Sequence, residues 1–258
     1  MIASLRKAVT LLDVFTLEVP EWSLGELSAK AGMPKPTAHH ILATLVDAGW
    51  VVQDAKTRRY RLGIRLWEKG WLAVNQLGLR EVARPSVEAL AAKSDESVHV
   101  GILDSVDPGY VVYIDKVESS QPVRAYSRIG GRAPAYCVAT GKALLAHQPR
   151  EVIDRVAASL VPFTPRTITS AARLHDELAR VRRDGVAINT GEWRETVCGV
   201  AAAIRDTAGV VVAAVGISGP AERLRPRTRR AIGPLVREAA DRISRDLGFQ
   251  PGRVAACR

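Results

Sequence analysis

Along the first third of the chain, apolar residues return at intervals of three and four, the spacing of helices that bury one face. Leu5, Val9, Leu12 and Phe15 share one such stripe, which predicts a first helix packed beneath the next two. Leu24, Leu27 and Ala31 share a second, and Gly32 stands where a helix ends on a left-handed residue. A third stripe, Ala38, Ile41, Leu42 and Leu45, predicts a helix whose other side shows Thr37, His40 and Thr44, with His39 on the flank and Lys35 at the start. Pro36 is tolerated only in a first turn, so that helix must begin at about 34–36. The period then shortens. Val51 and Val52, a turn around Asp54 to Thr57, and the run from Arg58 to Leu62 predict a two-stranded ribbon. Tyr60 and Leu62 are expected to face inward, Arg59 and Arg61 outward. Two short helices across a tight turn, succeeded by a ribbon with a basic tip, make a winged helix-turn-helix.

Leu66, Trp67, Gly70, Trp71 and Val74 keep helical spacing, with two tryptophans too apolar to stay in water. Such a helix packs either against a second copy of the chain or under the next domain, and spacing alone leaves both open. A symmetric dimer would offer two recognition helices to half-sites about one DNA turn apart. From about residue 80 the periods mix. Residues 80–97 read as a helix punctuated by Pro85, SVHVGIL as an alternating strand, and YVVYIDKVE and PVRAYSR as further strands. GGRAPAYCVATGKALLA passes from loop to helix, and two more helices lie near 151–159 and 171–183. GVAIN, VCGVAAAIRD and VVVAAVGISGP are strands, the last two a hairpin through Thr207, Ala208 and Gly209. A long amphipathic helix spans about 228–247. Hairpin-linked strands flanked by helices predict an α+β fold on an antiparallel sheet.

Composition narrows the function. The 258 residues suffice for a small domain plus a medium one, and 47% hydrophobic content is ample for a core. A net charge of +10 suits a polyanionic partner, although the arginines from 223 to 245 fit a solvated helix face equally well. No apolar run approaches the roughly 18 residues of a membrane span, and MIASLRKAVTLLDVF carries no small-residue cleavage site, so a cytoplasmic location is expected. Cys137, Cys198 and Cys257 are too far apart for a disulfide framework or a zinc site. Adjacent His39 and His40 point about 100° apart on a helix, a poor metal pair. Neither metal nor cofactor is expected. Cys137 and Cys198 could act as nucleophiles with His99, His147 or His175 as base, but nothing local pairs them. GISGP lacks the strand-turn-helix setting of a serine hydrolase. A pure scaffold would leave the basic wing without an anionic partner, from which the fold gains little. Double-stranded operator DNA is therefore the expected partner.

In their order and spacing these motifs resemble the isocitrate-lyase-regulator (IclR) family of bacterial transcription factors over nearly the whole chain. The resemblance rests on SLRKAVTLLDVF, LGELSAKAGMPKPTAHHILATLVDAG and RRYRLG, then on PAYCVATGKALLA, RRDGVAINTGEWRETVCGVAAAIRD and VVAAVGISGP. It implies a GAF/profilin-like effector domain, a dimerising linker helix and a homodimer or dimer of dimers. The expected organisation is a winged helix-turn-helix over 1–64, a linker over 65–79 and an effector-binding domain over 80–258. Thr37, His40 and Thr44 are the expected base readers, with Lys35 and His39 beside them and Lys56, Arg58 and Arg59 on phosphates. Many relatives have Ser at Pro36 and Arg at His40, so their operator sequence does not carry over.

Val138 to Lys142 opens a helix among small residues, where a carboxylate could approach free backbone N–H groups. The same glycine would equally suit a tight loop-to-helix corner. The resemblance carries ligand contacts onto Ala139 and Thr140, onto Asn189, Gly199 and Ser218 on facing strands, and onto Ala125. Gly141, and Trp193 on the GEWRE turn, complete the expected effector-binding residues. Relatives that bind very small acids have Asp at Asn189, Cys at Gly199 and Ser at Gly216; the changes remove polar atoms and free volume. The expected effector is a small carboxylic acid, aromatic or cyclic, with a small aliphatic keto acid as the alternative.

Overall fold

A computed structural model describes residues 2–76, 78–123 and 127–250. The chain divides into two compact units, residues 1–77 and 78–258.

The first unit runs α1 (Ala3–Asp13), β1 (Glu21–Trp22), α2 (Leu24–Lys30), α3 (Lys35–Asp47), β2 (Val51–Gln53), β3 (Tyr60–Leu62) and α4 (Ile64–Asn75). Ser23 and Glu26 cap α2 reciprocally: the Ser23 hydroxyl accepts from the Glu26 amide at 3.3 Å, and the Glu26 carboxylate accepts from the Ser23 amide at 2.8 Å. Gly32 stands just after α2 with φ +63°, and Pro36 sits in the first turn of α3. Ala38, Leu42 and Leu45 pack with Leu27, Met33, Val51 and Tyr60, while Ile41 is partly buried. Three strands form an antiparallel sheet ordered β1-β3-β2, so the ribbon gains a third strand from the segment before α2.

The apolar stripe of α1 departs from expectation. Only the C-terminal half of α1 packs inward, through Leu11 and Val14 with Leu12 and Phe15 partly buried; Leu5 and Val9 are exposed. Leu62 is exposed as well, because the three-residue strand buries only Tyr60. Helix α4 has no buried residue at all, and Ile64, Trp67 and Leu72 lie open.

The second unit runs α5 (Leu79–Ser94), β4 (Ser97–Leu103), β5 (Tyr110–Val117), β6 (Arg132–Pro134), a 3-10 turn (Ala135–Cys137), α6 (Ala139–Leu145), α7 (Arg150–Ala157), α8 (Ala171–Asp184), β7 (Ala187–Thr190), β8 (Val197–Arg205), β9 (Val211–Pro220) and α9 (Pro226–Asp246). The six strands form one antiparallel sheet, ordered β6-β5-β4-β9-β8-β7. Helices α5 and α9 pack together against it, and α6 crosses β4, β9, β8 and β7 with α8 behind. The expected strand over PVRAYSR is absent from its described residues; Ala125 and Tyr126 lie outside them. The sheet edge is β6 instead.

One irregularity in this sheet shapes the site. Val100 pairs with Asp115 but Gly101 pairs with Tyr113, so Ile114 is an extra residue on β5. Such a bulge reverses the facing of side chains beyond it. Tyr113 is thereby turned to the face of His99, with ring centroids 5.1 Å apart. Asp115 is turned towards α5, where Arg80 and Arg84 reach it at 3.3 and 3.2 Å.

Candidate functional site

On the first unit, α3 presents Lys35, His39, His40 and Thr44 to solvent, while Thr37 is half-buried at its start. The two imidazoles meet edge to face at 6.0 Å. Thr44 spends its hydroxyl proton on the His40 carbonyl at 3.1 Å, leaving an acceptor outward. In the wing, Asp54 organises the tip: its Oδ1 accepts from the amides of Lys56 and Thr57 at 2.9 and 2.7 Å. Lys56 and Arg58 are exposed there, and Arg58 adopts φ +58°, a left-handed conformation costly for a long side chain. Arg59 differs from the sequence expectation. Its guanidinium donates to Glu26 at 3.1 Å and to the Glu21 carbonyl at 3.0 Å, tying the wing to the start of α2. Arg61 is the exposed arginine of β3.

In the second unit, a pocket partly open to solvent lies between the sheet and the start of α6. Of the effector-binding residues named from sequence, Ala139, Thr140, Asn189, Trp193, Gly199 and Ser218 line it. The strand registers explain why: Ser218 pairs with Gly199, Gly199 with Asn189, and Ser97 with Ser218, so these positions share one face. Gly141 does not line the pocket. A Cβ there would collide with the Ala135 carbonyl oxygen, so this glycine serves the loop-to-helix corner. Gly216 frees no pocket volume either, since a Cβ would sit 2.7 Å from Ala201 Cβ and 3.1 Å from Thr140 Cγ2. At Gly199 a Cβ would lie 2.8 Å from the Ile217 carbonyl oxygen. Tyr136 is buried elsewhere, its phenol donating to the Val161 carbonyl at 2.9 Å.

Sequence reasoning missed His99, Tyr113, Ser127 and Arg194, which complete the lining together with Val138, Val197 and Ile217. The bulge in β5 hid Tyr113; Arg194, next to Trp193 in the GEWRE turn, was the legible one. Burial, reinforced by the Lys116 ammonium, pushes the His99 imidazole down to about 3, so the ring is neutral near pH 7. Burial raises the Tyr113 phenol, opposed by Thr140 and the Arg194 charge. Arg194 stacks over the Trp193 ring at 4.7 Å and is the one charged side chain among the described lining residues.

The turn that carries Trp193 and Arg194 is anchored from below. Asn189 Oδ1 accepts from the amides of Gly191 and Glu192 at 2.9 and 3.1 Å, so its carbonyl oxygen serves the turn. Thr167 donates to the Glu192 carbonyl at 2.6 Å. The Glu192 carboxylate meets the buried Lys142 ammonium at 3.1 Å, and Lys142 also reaches Glu177 at 2.9 Å. Arg180 closes the cluster on Glu177 at 2.8 Å.

Neither described cysteine is activated as a nucleophile. Burial, with the Glu192 charge adding to it, pushes the Cys137 thiol up to about 12, and burial raises Cys198 too. Cys257 lies outside the described residues. Among the described residues no group of three or more His, Cys, Asp or Glu could hold a metal, and no helix is long and apolar enough to cross a membrane.

Comparison with known proteins bears on both units. Residues 4–55 match the family model of the IclR helix-turn-helix domain, and residues 71–245 match that of the bacterial transcriptional regulator IclR C-terminal region. The chain is 30% identical to the HTH-type transcriptional regulator XynR of Escherichia coli K12, over 96% of this chain and 98% of that protein. It is 37% identical to the HTH-type transcriptional regulator Rv1719 of Mycobacterium tuberculosis, over 89% of this chain and 87% of that one. In three dimensions it resembles an IclR homologue from Microbacterium hydrocarbonoxydans solved with 4-hydroxybenzoate, with TM-score 0.80 and 28% identity over 95% and 99% of the two chains.

Proposed function

The chain belongs to the IclR family of bacterial transcriptional regulators, and on that premise we propose that its second unit binds an aromatic or cyclic carboxylic acid and thereby alters operator binding by the first. The family assignment makes it a DNA-binding regulator with a C-terminal effector domain rather than an enzyme. The effector class is our own reading. One observation carries it: a single cation, Arg194, faces a pocket whose other described lining residues include no acid, beside the flat walls of Trp193, Tyr113 and His99. A guanidinium in a lining that holds no acid suits one carboxylate, and Thr140 and Ser218 add hydroxyl donors. The 4-hydroxybenzoate held by the Microbacterium homologue supports the same class.

Calorimetry against benzoate-like acids and against glyoxylate and pyruvate is the test. Binding of an aromatic acid, weakened about tenfold to a hundredfold by Arg194→Leu, is the expected result. Tight binding of glyoxylate or pyruvate with no heat from any aromatic acid would favour the aliphatic keto acid instead.

For the DNA side, the exposed face of α3 supports His40 and Thr44 as base readers, with Thr37, Lys35 and His39 at the groove edge. Lys56 and Arg58, joined by Arg61, hold phosphates in this reading, while Arg59 braces the wing. His40→Ala should relax preference at particular operator positions by about 1–3 kcal/mol each. Arg58→Ala should weaken binding to all sequences and flatten its salt dependence. Equal loss on every sequence from His40→Ala, in gel shifts against an operator variant panel, would remove it from base readout. The regulator works in the cytoplasm in this reading, as a homodimer or dimer of dimers joined through the exposed apolar side of α4.

A further inference from the structure

We propose that His99 is a specificity residue of the effector pocket, which selects carboxylic acids carrying an uncharged hydroxyl in addition to their carboxylate. The inference rests on the aromatic or cyclic acid reading and names the second group that the pocket recognises.

His99 projects from the middle of the sheet into the pocket and is only 3% exposed. Its Nδ1 has Ser127 Oγ at 3.4 Å, and among the described residues Nε2 has no hydrogen-bond partner. A ring nitrogen of a pocket-lining residue, without a protein partner, can take one from the ligand. The chemistry of that partner is set by charge. The imidazole is neutral, so Nε2 presents either one donor or one acceptor, and a hydroxyl satisfies both. A second carboxylate does not fit: it would need its own cation, and the nearby Lys116 ammonium is already held by Glu118 at 3.0 Å and by the Ser127 carbonyl at 2.6 Å. Tyr113, edge to face with His99, walls the same end with a flat apolar surface. A hydroxylated ring thus matches this end of the pocket, and an unsubstituted ring leaves Nε2 unpaired.

The test compares benzoate with 2-, 3- and 4-hydroxybenzoate by calorimetry on the full chain, for the wild type, His99→Phe and His99→Asn. We expect at least one hydroxybenzoate to bind the wild type about tenfold tighter than benzoate. His99→Phe should erase that difference while benzoate still binds, and His99→Asn, which keeps a hydrogen-bonding side chain, should retain part of it. Retained benzoate binding shows that the pocket of each variant is folded. Equal affinity for benzoate and all three isomers in the wild type overturns the inference and leaves the aromatic reading standing. A preference that survives in His99→Phe overturns it too. Failure of every aromatic acid to bind the wild type overturns both.

Discussion

Glutamate at both Trp67 and Trp71 is expected to yield monomers and to lower operator affinity by roughly a hundredfold or more. Helix α4 is apolar along one side yet has no fully buried residue: Trp67 is 60% exposed, Ile64 72% and Leu72 53%. A contiguous apolar surface of that kind marks an interaction site. Its position just after the wing suits a second copy, because two linked readers bind two half-sites with the second contact made intramolecular. Two buried carboxylates would oppose that association without disturbing a core to which α4 contributes no buried residue. Light scattering reports the assembly state and a gel shift the affinity. An oligomer with undiminished operator affinity would move the assembly surface to the second unit.

Lys142→Met is expected to cost the second unit about 3–5 kcal/mol, because it leaves buried carboxylates without their counter-charge. For a unit of this size that lowers the unfolding midpoint by about 10 °C. Lys142 is 1% exposed and bridges Glu177 and Glu192. Glu192 in turn holds the turn of Trp193 and Arg194, so effector affinity should fall together with stability. Adding Glu192→Gln should recover part of the loss. The pH dependence comes from Glu177. Burial alone would raise its pKa, but the Arg180 hydrogen bond and the Lys142 charge outweigh burial and hold it at about 2. A depressed carboxyl contributes stability that is complete above its unfolded value near 4.5 and is lost as pH falls through about 2. Removing Lys142 takes away one of those supports, so acid unfolding should move to higher pH. Calorimetric melts from pH 7 down to 2 check both effects, and an unchanged melting profile for Lys142→Met would contradict the burial of this cluster.

The reader was legible because its periods are local. The stripe from Ala38 to Leu45, the stop at Gly32 and the restriction set by Pro36 each act within a turn or two of helix. Where contacts are long-range, the sequence misled. The Leu5 and Val9 stripe is as regular as a buried one, yet α1 meets α3 only through its later half. Arg59 has the composition of a phosphate ligand and is used 33 residues away by Glu26. In the effector domain the small residues play different parts. Gly141 and Gly216 lie where neighbouring atoms leave no room for a side chain; Gly199 lines the pocket with Ala139 and Ser218, yet the Ile217 carbonyl oxygen leaves it no room for a Cβ either. Tyr113 could not be assigned to a face because the bulge at Ile114 breaks the alternation on which such assignments depend. Nothing local marks Lys142 as the centre of a buried ionic cluster, since its partners lie 35 and 50 positions further along the chain.

Ligand-responsive operator recognition is tested most directly by sequencing the fragments of its own genome that the full-length protein retains at physiological salt, with and without the hydroxybenzoates. The expected result is a small set of enriched fragments sharing an inverted repeat, whose enrichment changes about tenfold when the acid is present. Retention without sequence preference, or a fragment set indifferent to every acid that binds the pocket, would contradict it.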